Sequence, residues 1–230
     1  MLYLVGLGIR RDDITLRAIN ILKEVEGIYL DTYTTPYTKL VEEIKNNVEK
    51  VVGKRIELAN RELVELKLEK IAKEKDIALL VVGDPVFATT HLYQFKDLIA
   101  DIVHAPSILN YVWELGLSPY KFGRIITIPH PSKGIYPSVI EEAKKNDLAN
   151  LHTLVLLDTE PPLSYKEALE TYPQLRSFRY IFALAVKDKT YIARVKPINE
   201  DLSVEPPHSL VLTNSLSPIE EEYIKALNRG

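Results

Sequence analysis

The 230-residue chain has no cysteine, a single methionine and a single tryptophan. Without cysteine there is no disulfide framework, no thiolate nucleophile and no cysteine-type zinc site, an absence that fits any compartment. Nor is one sign of charge in excess: 29 Lys and Arg stand against 32 Asp and Glu, a net charge of -3, and both signs are mixed along the chain. No long-range field therefore favours a polyanion, and direct nucleic-acid binding is not expected. No apolar run approaches the roughly 20 residues needed to cross a bilayer. The opening MLYLVGLG lacks the basic segment and small-residue cleavage site of a signal peptide, so a cytoplasmic protein with no membrane partner is expected. Repeats, low-complexity tracts and long charge blocks are missing too. There is no G-x-S-x-G elbow and no P-loop lysine, so acyl transfer by serine and nucleotide hydrolysis lack their parts. The five histidines, His91, His104, His130, His152 and His208, show no metal-ligand spacing and read as loop or core residues, so no metal is assigned.

What is present is alternation. Short apolar runs (LYLVGLG, GIYLD, IALLVVG) alternate with segments of helical period (DDITLRAINILKEVE, PYTKLVEEIKNNVEKVV, RELVELKLEKIAKEK). That pattern predicts parallel strands with crossover helices. It is unbroken to about Gly116, and LGLSPYKFG reads as a connection. Beyond it GRIITIP, HTLVLLD, YIFALAV, TYIARV and HSLVLTN supply more strand and fewer helices, which predicts a mixed sheet. Two α/β domains follow, 1–116 and 117–230. EPP at 160–162 and EPPH at 205–208 read as loops by their prolines.

Gly6 and Gly8 follow a strand and precede a helix, as in a dinucleotide fingerprint, and Asp31 ends the next strand where a ribose-binding acid belongs. The third glycine position is Arg11, however, and paired glycines at a first strand-to-helix turn also arise for steric reasons alone. Asp13 is expected to cap the helix ITLRAINIL. The pair Glu141 and Glu142, close to Lys144 and Lys145, reads as solvated surface. VVGDPVFATTH stops an apolar strand on Gly83, Asp84 and Pro85, at the carboxyl edge where open α/β sheets place ligands. Gly83 permits a tight turn or a close approach and Pro85 fixes φ, so Asp84 either closes the turn or faces a ligand. HAPSIL repeats the arrangement after DIV, with Ser107 expected to cap ILNYVWEL and to leave free N–H groups for a carboxylate. PPHSLVL puts His208 at the entrance of a late strand.

Taken together, VGLG at 5–8, DIT at 13–15, GDPVFATTH at 83–91, HAPSI at 104–108, YKFG at 120–123, HTLVLLD at 152–158 and PPH at 206–208 resemble, in order and nearly end to end, the diphthine synthases. The wider group is the tetrapyrrole-methylase-like (class III) methyltransferases. The resemblance implies two α/β domains, the first with a mostly parallel and the second with a mixed sheet. It further implies a cleft between them for S-adenosylmethionine, which leaves as S-adenosylhomocysteine, and a homodimer. Transferred position by position, it implies cofactor contacts by Ile9, Asp84, Phe87, Ser107, Ile108, Leu157, Ala185 and His208. The implied reaction is N-methylation of the 3-amino-3-carboxypropyl group on a modified histidine of translation elongation factor 2, in diphthamide biosynthesis. An unprotonated amine displaces the methyl in line, and no catalytic residue is named. The alternatives are a methyltransferase of the same fold acting on a corrin-type tetrapyrrole carbon, and a non-catalytic dinucleotide-binding or interaction module. Phe87 stands where the family leads one to expect a branched aliphatic residue, and Val81-Val82 where Thr-Pro is frequent. The chain is also shorter than expected after YTT and around EPPLSYKEALETYPQLRSFR, which touches the docking of a protein substrate more than the cofactor.

Overall fold

The computed structural model describes residues 1–36, 38–186, 190–196 and 208–227, and every absence stated below concerns these residues. The chain divides into two compact units, Met1–Ile108 and Leu109–Gly230, so the division falls directly after HAPSI, ahead of the 116/117 position suggested by the sequence.

The first unit holds five strands, β1 (Leu2–Gly6), β2 (Gly27–Asp31), β3 (Glu57–Ala59), β4 (Ile77–Val81) and β5 (Ile99–Val103). They form one sheet in the order β3-β2-β4-β1-β5, with every pairing parallel. Two-residue periodicity sends alternate side chains to opposite faces. Val5, Leu30, Ala78 and Leu80 pack with residues of α1 (Leu16–Glu24) and α2 (Lys39–Val52), while Leu2, Leu4, Ile77 and Leu79 pack with α3 (Leu68–Glu74) and the π-helical turn Leu63–Lys67 before it. Both faces are thus covered, which is why these strands read as continuous apolar runs. Each fully buried Leu contributes about 1.5–3 kcal/mol. The helices are bounded by local chemistry: Thr38 caps α2 by accepting from Val41 N, and Gly53, at φ 74°, ends it in the left-handed conformation.

Two local expectations are corrected. The cap of α1 is Thr15, whose hydroxyl accepts from Ala18 N, and not Asp13. The segment ILNYVWEL is one α-turn, α5 (Ile108–Tyr111), followed by a 3-10 turn, Val112–Leu115, that closes on Gly116 at φ 75°. So short a helix has little macrodipole to offer an anion. The helix after GDPVFATT is likewise a single turn, α4 (His91–Gln94).

The second unit carries β6 (Ile126–Ile128), β7 (Thr153–Leu157), β8 (Tyr180–Val186), β9 (Thr190–Lys196) and β10 (His208–Thr213), ordered β6-β7-β10-β8-β9. Only β6 and β7 are parallel, so the sheet is mixed as expected. α6 (Pro137–Leu148) and α7 (Tyr165–Thr171) cover an apolar cluster that includes Val139, Ala143, Val155, Leu169, Tyr172 and Leu210, and α8 (Pro218–Leu227) ends the described chain. None of the helices is long and apolar enough to cross a membrane.

Candidate functional site

In the first unit the loops that leave β1, β4 and β5 meet, because those strands are neighbours and parallel and their carboxyl ends lie on one edge. Gly8 and Gly83 exchange backbone hydrogen bonds, Gly8 N to Gly83 O at 3.3 Å and Gly83 N to Gly8 O at 2.8 Å. A Cβ on Gly6 would lie 2.7 Å from Gly83 O and 2.8 Å from the Ala105 Cβ, so this position needs glycine for the three loops to approach. Asp13, freed from the helix cap, braces the first loop by accepting from the N–H groups of Ile9 and Arg10, both at 2.9 Å.

The GDPVFATTH loop is held throughout its length. Asp84 Oδ1 accepts from Val86 N at 3.0 Å, Asp84 O accepts from Phe87 N at 3.3 Å, and the Thr89 hydroxyl donates to Pro85 O at 2.7 Å. Ala88 sits at φ 58°, a conformation that costs an L-residue about 1–2 kcal/mol and persists because the surrounding bonds enforce it. Asp84 Oδ2 is shared by two donors from HAPSI, His104 Nδ1 at 2.8 Å and Ala105 N at 3.4 Å. An ionised carboxylate only accepts, so the imidazole nitrogen is the donor in this pair. Position 83 opens directly onto Ser107, whose Cα lies 3.8 Å from where a Cβ would stand. Asp84 and the buried Ser107 are therefore neighbours. Ile9, which follows Gly8 in the glycine turn, is buried, and Phe87 and Ile108 are half-buried.

At the far end of the same loop His91 is fully buried, its Nε2 2.8 Å from Asp31 Oδ2. Asp31 also accepts from Tyr33 N, Thr34 N and, through a short contact, the Thr34 hydroxyl. The acid that the sequence placed at a ribose position is consumed inside the fold. The pair ties the end of β2 to the loop leaving β4.

In the second unit His208 and Ala185 are direct partners across β10 and β8. Ser209 pairs with Leu156 on the other side, which puts Leu157 next to His208 at the same end of the sheet. Pairs directly opposite in an antiparallel ladder share a face. The Tyr165 ring meets His208 edge-on at 6.0 Å, a neighbour that nothing in the sequence signalled. Of the PPH motif, residues 206 and 207 lie outside the described residues.

Within the first unit, Asp84 Oδ1 keeps a lone pair for a ribose hydroxyl or a cationic group, with the apolar Ile9 and half-buried Phe87 in the same loops, a chemistry that fits part of S-adenosylmethionine. Within the second, Leu157 and Ala185 are the apolar neighbours of His208.

Residues 1–196 match the family model of the tetrapyrrole (corrin/porphyrin) methylases. The chain is 33% identical to the diphthine synthase of Methanocaldococcus jannaschii, over 99% of this chain and 98% of that protein. It is 39% identical to the diphthine methyl ester synthase of Schizosaccharomyces pombe over 69% of this chain, which spans 58% of that protein. A crystal structure of diphthine synthase matches 98% of this chain and 94% of its own with a TM-score of 0.81 at 25% identity. On these grounds the chain belongs to the tetrapyrrole (corrin/porphyrin) methylases and, within them, to the diphthine synthases.

Proposed function

We propose that this methyltransferase moves methyl groups from S-adenosylmethionine to the amino nitrogen of the aminocarboxypropyl-histidine of translation elongation factor 2. The observation that carries the reading is the junction of GDPVFATTH with HAPSI at Asp84, in a chain related over nearly its whole length to diphthine synthases. Ile9, Asp84, Phe87, Ser107 and Ile108 in the first unit, and Leu157, Ala185 and His208 in the second, are the residues we assign to the cofactor. When bound, it supplies an electrophilic methyl on a sulfonium. The chain's own part is to hold the acceptor nitrogen in line, and well-oriented reactants gain on the order of 7–11 kcal/mol from such placement. An apolar setting also favours the neutral amine over the ammonium. We place the enzyme in the cytoplasm, as a homodimer.

The name of the fission-yeast relative favours a second reading, in which a carboxylate of the same group accepts a methyl to give an ester. One experiment separates them. Elongation factor 2 carrying the aminocarboxypropyl-histidine is incubated with enzyme and S-adenosylmethionine, and the peptide is weighed before and after mild alkali. Methyl masses that survive alkali support N-methylation, masses lost in alkali support the ester, and no gain refutes both.

A further inference from the structure

We infer that His104 is the general base of the reaction, its imidazole oriented by Asp84 so that Nε2 accepts the proton released by the acceptor ammonium. This rests on the N-methylation reading above.

His104 opens HAPSI directly after β5, at the edge of the sheet where the loops of the site converge. Its side chain is 67% exposed, whereas that of Asp84 is 14% exposed. An exposed imidazole joined to a largely buried carboxylate through one ring nitrogen is an oriented group. Asp84 Oδ2 fixes the proton on Nδ1, which leaves Nε2 with its lone pair and access to solvent. Asp84 cannot easily swing away, since its other oxygen is bound to Val86 N inside the loop. Two acids of the same elements are occupied elsewhere: Asp101 on β5 is paired with Arg17 at 2.6 Å, and Asp13 holds the N–H groups of Ile9 and Arg10. The other histidine of the two motifs, His91, is fully buried against Asp31 and is out of reach of any substrate.

The chemistry needs such a group. The acceptor nitrogen reaches neutral pH mostly as an ammonium with no lone pair. One N–H proton passes to His104 Nε2, and the freed pair forms the N–C bond to the methyl carbon. The C–S bond breaks with its electron pair remaining on sulfur, and the imidazolium then returns its proton to solvent. Charge and atoms balance without an oxidant or metal. Asp84 stabilises the imidazolium while it lasts, and positioned bases of this kind contribute about 10²–10⁴-fold in rate.

The test combines rate and tautomer. In His104→Gln, kcat for N-methylation is expected to fall about 100-fold near neutral pH, with affinity for S-adenosylhomocysteine and the melting temperature unchanged. The deficit should shrink as the pH is raised and the amine deprotonates by itself, and imidazole added to His104→Ala should restore part of the rate. Independently of activity, ¹⁵N NMR of the cofactor-free protein should show His104 as the Nδ1–H tautomer, and Asp84→Asn should change that signature. A loss under threefold, a loss equal at every pH, or an Nε2–H tautomer overturns the assignment. If the wild type gives an alkali-labile product, the N-methylation reading fails and the base falls with it. If the product is alkali-stable and His104→Gln is fully active, only the base is refuted.

Discussion

Glu220 is buried at the start of α8, yet it is a carboxylate with four donors. Oε1 accepts from Ser118 N at 2.8 Å and from His152 Nε2 at 3.0 Å; Oε2 accepts from Ser217 N at 2.7 Å and from Lys121 Nζ at 3.2 Å. Burial pushes the carboxyl up, but the hydrogen bonds from Ser118, Ser217 and His152 outweigh it and bring it from 4.5 down to about 2. A folded-state value below the unfolded one means stability that is present above pH 4.5 and lost as the pH falls toward 2. At 1.36 kcal/mol per pH unit the difference is worth ~3 kcal/mol. In Glu220→Gln the amide NH₂ must face two of the four donors, so a loss of about 3 kcal/mol is expected at pH 7. Burial pushes the His152 imidazole down against the opposing pull of Glu220, so below pH 6.5 the unfolded chain takes up a proton that the folded one refuses. The variant, which lacks the pull of Glu220, suffers this acid loss at least as strongly, so any narrowing of the gap comes from Glu220 itself. The single tryptophan, Trp113, lies edge-on to Phe122, which in turn meets His152, and so reports this unit. Urea titrations followed by its fluorescence should show a gap of ~3 kcal/mol between wild type and Glu220→Gln at pH 7, narrowing to less than half by pH 3. The exposed Glu222→Gln serves as control and should shift stability by under ~0.5 kcal/mol. Equal midpoints at pH 7, or a gap undiminished at pH 3, would refute the reasoning.

Three further outcomes are expected. Asp84→Ala should weaken S-adenosylhomocysteine binding by about 1–3 kcal/mol in calorimetry, and unchanged affinity would return Asp84 to a turn-forming role. Asp31→Ala strands the buried His91 and the N–H groups of Tyr33 and Thr34; a destabilisation of about 3–5 kcal/mol should appear in thermal melts, and a shift under ~1 kcal/mol would contradict the buried pairing. Gly116→Ala brings a Cβ within 2.0 Å of the Tyr223 ring at φ 75°, so chemical denaturation should reveal a loss above ~1 kcal/mol, and a neutral result would mean that Tyr223 moves aside freely.

The strands and their partition into a parallel and a mixed sheet were legible because apolar runs and turn residues are local signals. The two motifs nearest the ligand edge, GDPVFATTH and HAPSI, were legible for the same reason. Long-range pairings were not. Asp31 and His91 are 60 residues apart and Glu220 and His152 are 68 apart, and only the strand order brings each pair together. The misplacement of the α1 cap has a similar origin: Asp13 and Thr15 are both good caps, and the choice fell to Thr15 because the tight glycine turn needed an acceptor for Ile9 and Arg10. His104 stood in a quoted motif, but its role depends on Asp84, 20 residues earlier, folding back to meet it.

The reciprocal bond between Gly8 and Gly83 ties two segments from distant parts of the chain into one unit. Neither can be retuned alone: a substitution that shifts the first segment drags the second, together with its acid and its aromatic ring. Transplanting the GDP segment onto another parallel sheet would accordingly require carrying the glycine segment with it.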